Sequence, residues 1–109
     1  MSNWIEICEL TDIHPNTGVC ALVNEQQVAI FRAQKDDAVY AISNFDPIGK
    51  ANVLSRGLMA QFGEKLTIAS PLYKQHYDLK TGECLEDENA KVSVFETKVD
   101  GGKILVKAA

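Results

Sequence analysis

Short runs of β-branched and aromatic residues, each cut off by turn residues, constrain the fold of this 109-residue chain more than any other feature. That spacing is the pattern of a small all-β barrel or sandwich. It predicts strands near Trp4–Cys8, Val19–Val23, Val28–Arg32, Val39–Ser43, Leu66–Ala69, Gln75–Leu79, Val92–Thr97 and Lys103–Val106. The punctuation agrees. His14-Pro15-Asn16-Thr17-Gly18, Asn24-Glu25, Lys80-Thr81-Gly82 and Asp100-Gly101-Gly102 supply positive φ, a fixed φ or local side-chain bonds. Val19, Ala21 and Val23 share one phase, and Phe31, on the opposite phase to Val28 and Ile30, predicts a strand buried on both faces. One domain over residues 1–109 is expected, and a chain of this length buries roughly two-thirds of its unfolded surface without staples.

A net charge of -4, with no Lys or Arg before Arg32, argues against a nucleic-acid partner. The apolar runs fall far short of the ~20 residues of a membrane span, so no membrane is expected. No positive stretch followed by a long apolar core opens the chain, which makes the cytoplasm the expected compartment. Cys8, Cys20 and Cys84 form no C-x-x-C pair and are expected to be reduced, small, buried hydrophobes. A Cys8–Cys20 bridge between neighbouring strands is conceivable in geometry alone. Trp4 is expected to anchor the first strand against the core. Nothing marks a self-association stripe, so the isolated chain is expected to be a monomer.

Between Phe45 and Lys65 the periodicity fails, and the segment reads as one long irregular loop. Long loops in small domains are often functional, so this segment and the Ser70–Lys74 loop draw attention. No internal repeat, low-complexity tract or linker is visible, and Glu86-Asp87-Glu88 reads as a solvated surface loop.

Together, YAISNFDPIG (40–49) and IASPLYKQHYDLKTG (68–82) resemble the two cluster-binding loops of a Rieske-type domain, an antiparallel β-sandwich or barrel. The resemblance spans nearly the whole chain. In that family the first loop reads roughly N-x-C-P-H-x-G and the second C-P-x-H-x-x-x-F-D-L-x-T-G, two Cys holding one iron and two His the other. Asn44 and Pro47 match the first, and Gly49 stands one place before its glycine. Pro71, Tyr77 in the aromatic place, Asp78, Leu79, Thr81 and Gly82 match the second. The ligand positions depart from the family: Asp46 and Ser70 stand in the cysteine places, Ile48 and Tyr73 in the histidine places. A carboxylate, a hydroxyl, an alkyl group and a phenol do not reproduce a thiolate and imidazole set, so no cofactor or metal is expected in this chain. Burial of Phe45, Ile48, Leu72 and Tyr73 would then substitute for the metal, at roughly 1.5–3 kcal/mol each. Asp46 and Ser70 would bond nearby backbone N–H groups.

Within that superfamily the chain is similar to the small subunit of cytoplasmic NADH-dependent nitrite reductase, in its length, its missing ligands and phrases such as GVCAL (18–22), VAIFR (28–32), VLSRGL (53–58) and IASPL (68–72). The resemblance implies a non-redox accessory subunit whose partner, the large subunit, carries FAD, a 4Fe-4S cluster and sirohaem and reduces nitrite to ammonium in nitrate assimilation. No catalytic residue is implied here. Pro47, Ile48, Arg56, Leu72, Tyr73 and Lys74 have the composition of a partner interface. The same apolar residues could instead turn inward to fill the vacated site. Other readings are a 2Fe-2S electron carrier, which the missing ligands disfavour, and a hydrolase built on Ser70, His76 and Asp78, which lacks an oxyanion motif. Ser55-Arg56-Gly57 reads either as an anion grip or as a turn with an exposed arginine.

Overall fold

The computed structural model describes residues 4–72 and 74–107, the side chain of Lys35 excepted. Its strands are β1 (Trp4–Glu9), β2 (Thr17–Val23), β3 (Gln26–Arg32), β4 (Val39–Ser43), β5 (Phe45–Asp46), β6 (Ala51–Asn52), β7 (Leu58–Phe62), β8 (Lys65–Ala69), β9 (His76–Asp78), β10 (Val94–Phe95), β11 (Thr97–Asp100) and β12 (Lys103–Lys107). Short 3-10 turns cover Leu10–Asp12, Lys35–Asp37 and Leu54–Arg56. All strand pairings are antiparallel.

Strand β3 organises the molecule. It lies inside the sheet β10-β4-β3-β2, and its two phases face two different cores. Val28 and Ile30 pack with Ile13, Val23 and Ala41 against Ile104 and Val106 of the sheet β1-β12-β11. Ala29 and Phe31 pack on the other side with Ile42 and Leu54 against Ile68 and Tyr77 of the sheet β7-β8-β9. All four β3 residues are fully buried, as their alternation requires. The result is a three-layered sandwich. The expected hairpins are present: Asn24 and Glu25 (φ 48 and 66) link β2 to β3, and Gly101 and Gly102 (φ 60 and 81) link β11 to β12.

The structure departs from the sequence reading in four places. The stretch 45–65 is not one irregular loop: β5 pairs with β6, and β7 pairs residue by residue with β8 from Leu58↔Ala69 to Phe62↔Lys65. Leu-Met-Ala-Gln-Phe carries little strand propensity of its own, and its pairing with β8 overrides that preference. The run Val92–Thr97 is two strands in two sheets, with Glu96 at the break. The thiols are all free, but only Cys84 is buried. Cys8 is half-buried, and Cys20, which shares the outward phase of edge strand β2 with Leu22, is exposed. Finally, Trp4 is half-exposed, with the Lys98 ammonium 4.5 Å from its ring centre, a cation–π contact at the surface.

Candidate functional site

The two loops singled out by the sequence meet at one end of the molecule, and Asp46 joins them. Its carboxylate is fully buried. Oδ1 accepts the backbone N–H groups of Ile48 (2.9 Å) and Gly49 (3.1 Å) within its own loop, and the phenolic O–H of Tyr77 (2.9 Å) from β9. Oδ2 accepts the hydroxyl of Ser70 in the second loop at 2.5 Å. Ser70 Oγ in turn accepts the N–H of Leu72 (3.3 Å). The two positions assigned to the family's cysteines are thus bonded to each other.

The loops also open and close alike, which the sequence reading passed over. Asp46-Pro47-Ile48-Gly49-Lys50 and Ser70-Pro71-Leu72-Tyr73-Lys74 each open on a side-chain acceptor followed by proline. Each closes when the lysine N–H returns to the first residue's carbonyl, at 2.7 Å for Lys50 to Asp46 and 3.0 Å for Lys74 to Ser70. Both lysines sit in the left-handed region, with φ 56 and 61. Leu72 lies on Gly49, where an added Cβ would stand 2.4 Å from Leu72 Cδ1 and 3.0 Å from Asp46 Oδ2, so a side chain there would displace Leu72 from the first loop.

A third segment supports the first loop. Asn44 is buried; its Oδ1 accepts the Ser55 N–H (2.7 Å) and its carbonyl accepts the Leu54 N–H (3.1 Å). This places Arg56, exposed, beside the bases of both loops, since Gly57 packs directly against the Ala69 carbonyl. On the other flank Glu86 takes the backbone N–H (2.8 Å) and Nδ1 (2.6 Å) of His76, whose ring meets Phe62 edge-on.

The electrostatics follow from these bonds. Burial works to raise the Asp46 carboxyl, but the donors Ser70, Gly49, Tyr77 and Ile48 outweigh it, and Asp46 titrates below the usual carboxylate range. Burial, then the adjoining Asp46 carboxylate, push the Tyr77 phenol well above its ordinary value. At neutral pH the site holds an ionised carboxylate facing two neutral hydroxyls.

Several sequence expectations are revised by this geometry. Phe45 and Leu72 do not fill the site; they are 42% and 45% exposed. Of the residues described among the expected plug, Ile48 alone packs against the core, beside Tyr77. Pro47 is half-buried, Arg56 and Lys74 are exposed, and Tyr73 lies outside the described residues. The bond that holds the loops is polar, because a carboxylate placed among four donors is satisfied without metal or apolar plug. The sequence held a signal for it: the aromatic place of the family pattern is Phe, and here Tyr77 supplies the extra hydroxyl where Asp46 replaces cysteine. Ser70, His76 and Asp78 form no triad. Ser70 donates to Asp46, His76 pairs with Glu86, and Asp78 Oδ1 accepts the N–H groups of Lys80 (2.7 Å) and Thr81 (3.3 Å) in its own turn.

The donor set does not fit a 2Fe-2S cluster. Asp46 and Ser70 use their oxygens on each other and on the backbone, and Ile48 offers no donor atom. Among the described residues no group of three or more His, Cys, Asp or Glu is placed to hold a metal. Ile48→His is expected to lower stability by about 1 kcal/mol through lost packing, with iron content after reconstitution at the level of a blank. Stoichiometric iron in that variant would contradict this account.

The class of protein follows from comparison as well as from geometry: the Rieske-like 2Fe-2S domain family matches residues 3–107. The chain is 49% identical over 107 residues to the nitrite reductase (NADH) small subunit of Escherichia coli K12, covering 98% of this chain and 99% of that one. The solution structure of a nitrite reductase small subunit from Erwinia carotovora superposes with a TM-score of 0.85 at 50% identity, covering all of this chain and 84% of that one. The chain belongs to the Rieske-like superfamily and, within it, to the family of NADH-dependent nitrite reductase small subunits. It is also 40% identical, over 94% of its length, to a segment making up 11% of the nitrite reductase large subunit of Klebsiella oxytoca.

Proposed function

We propose that this chain is a non-redox accessory subunit of a cytoplasmic NADH-dependent nitrite reductase. Its large subunit, carrying FAD, a 4Fe-4S cluster and sirohaem, reduces nitrite to ammonium in nitrate assimilation. The observation that carries the reading is the Asp46–Ser70 bond between the two loops, which occupies the place of the family's cysteine ligands with groups that transfer no electrons. Further support comes from the Klebsiella large subunit, in which a domain similar to this one shares a chain with the rest of that subunit. In this reading the loop end, with Pro47, Arg56, Leu72 and Lys74 at its surface and Ile48 packed beneath them, faces the partner.

The test is nitrite-dependent NADH oxidation by the cognate large subunit, loaded with its cofactors, with and without this chain. The rate is expected to rise severalfold on addition, while the pure chain absorbs nothing above 320 nm. Visible absorbance with the two-band shape of a 2Fe-2S centre would restore the electron-carrier reading. No change in rate with a fully loaded large subunit would refute the accessory role.

A further inference from the structure

The twin turns invite a question that loop closure does not answer. Each ends on a lysine in the left-handed region, a conformation in which side chains other than Gly, Asn and Asp are disfavoured. Glycine would serve the backbone better at both positions, and strained residues of this kind gather at functional sites. Among the described residues neither Lys50, Lys74 nor Arg56 pairs with a carboxylate.

The charge distribution sharpens the point. The segments 46–50, 54–58 and 70–74 contain Lys50, Arg56 and Lys74, and their one acidic residue is Asp46, which is buried and fully engaged. With eleven basic and fifteen acidic residues in the chain, the remainder carries eight basic against fourteen acidic ones. Glu86, of the acidic run 86–88, bonds the backbone N–H and ring of His76 on the opposite flank. The loop end is therefore cationic on an otherwise anionic molecule. At its centre Leu72 lies exposed over Gly49.

Resting on the accessory-subunit reading, we propose that the twin turns form a paired cationic clamp. Lys50 and Lys74, with Arg56 beside them, grip a carboxylate-bearing surface of the large subunit around an apolar contact made by Leu72. The net negative charge of the rest of the chain orients the approach, because an acidic partner is repelled by that remainder and attracted to this end. Such rim charges act mainly on association rate and on salt dependence. The Asp46–Ser70 bond fixes the two turns to each other and so sets the spacing of the clamp.

The decisive variant is Lys50→Gly/Lys74→Gly, because glycine removes both charges and relieves the backbone at once. Its thermal midpoint is expected to equal or exceed that of the unaltered chain. Its association with the purified, cofactor-loaded large subunit is expected to slow by about tenfold at 50 mM NaCl. Raising salt to 300 mM should slow the unaltered chain strongly and the variant little. Lys80→Ala, in the hairpin beyond β9, should bind as the unaltered chain does. Equal association rates and equal salt dependence for chain and double variant would overturn the clamp and leave the accessory role standing. An unchanged association rate with a raised KM for nitrite would also overturn it, in favour of a small-anion site. Failure of the unaltered chain to bind the large subunit or to raise its rate would take down both.

Discussion

Asp46→Asn is expected to lower the stability of the chain by about 2–3 kcal/mol, the range of a hydrogen bond to a charged group. In a domain of this size that corresponds to a fall in melting temperature of roughly 10–20 °C. The amide keeps the shape of the carboxylate but replaces one acceptor oxygen with a donor, so Ser70 and the Leu72 N–H lose their arrangement while Tyr77 keeps its partner. The loss has a pH signature. Asp46 titrates lower in the folded chain than in the unfolded one, so its contribution is complete above about pH 4 and is lost as pH falls through the folded value. Urea titrations from pH 7 to pH 2.5 should show the gap between the two proteins widest at neutral pH and closing in acid. A gap independent of pH would mean that the carboxylate charge is not what holds the loops. In a double-mutant cycle, Asp46→Asn with Ser70→Ala should cost less than the sum of the single changes, since both remove the same bond.

Gly82→Ala should be at least as damaging, through a different mechanism. Gly82 has φ +81, and a Cβ there would stand 2.0 Å from the Val92 carbonyl oxygen, a backbone atom that cannot swing aside. The left-handed backbone costs roughly 1–2 kcal/mol and the displaced packing roughly 1–3 kcal/mol more. Gly102 provides an internal comparison, with the same φ of +81 and nothing within 4 Å of its added Cβ. Gly102→Ala should therefore show the backbone cost alone. The difference in denaturation midpoint between the two variants measures the contact with Val92, and equal midpoints would show that the contact imposes nothing. The hairpin that Gly82 closes brings β9, and with it the Tyr77 hydroxyl, to Asp46.

The strand framework was legible because its signals are local. β3 shows its double burial in four consecutive apolar residues, and Asn24-Glu25 and Gly101-Gly102 name their hairpins outright. Strand β7 was not legible, because Met59, Ala60 and Gln61 become a strand only through β8, and pairing with a neighbour leaves no trace in a segment's own residues. The split at Glu96 was hidden for a related reason: a run of strand-forming residues says where a chain is extended and not which sheet each half joins. At the loops, the sequence identified the positions and the absence of thiolate and imidazole there. It misjudged what took their place. Apolar residues at a loop tip suggest a plug, whereas Leu72 and Phe45 face outward and the closure is polar. Reading Asp46, Ser70 and Tyr77 as one set required knowing that residues 24 and 31 positions apart meet.

The atoms that fasten the two loops all belong to the chain itself. A frame closed in this way sets the spacing of the loops from within the fold: the hydroxyl brought by β9 and the one brought by the second loop converge on a single carboxylate, so the shape of that end of the molecule is fixed by how the strands behind it are paired.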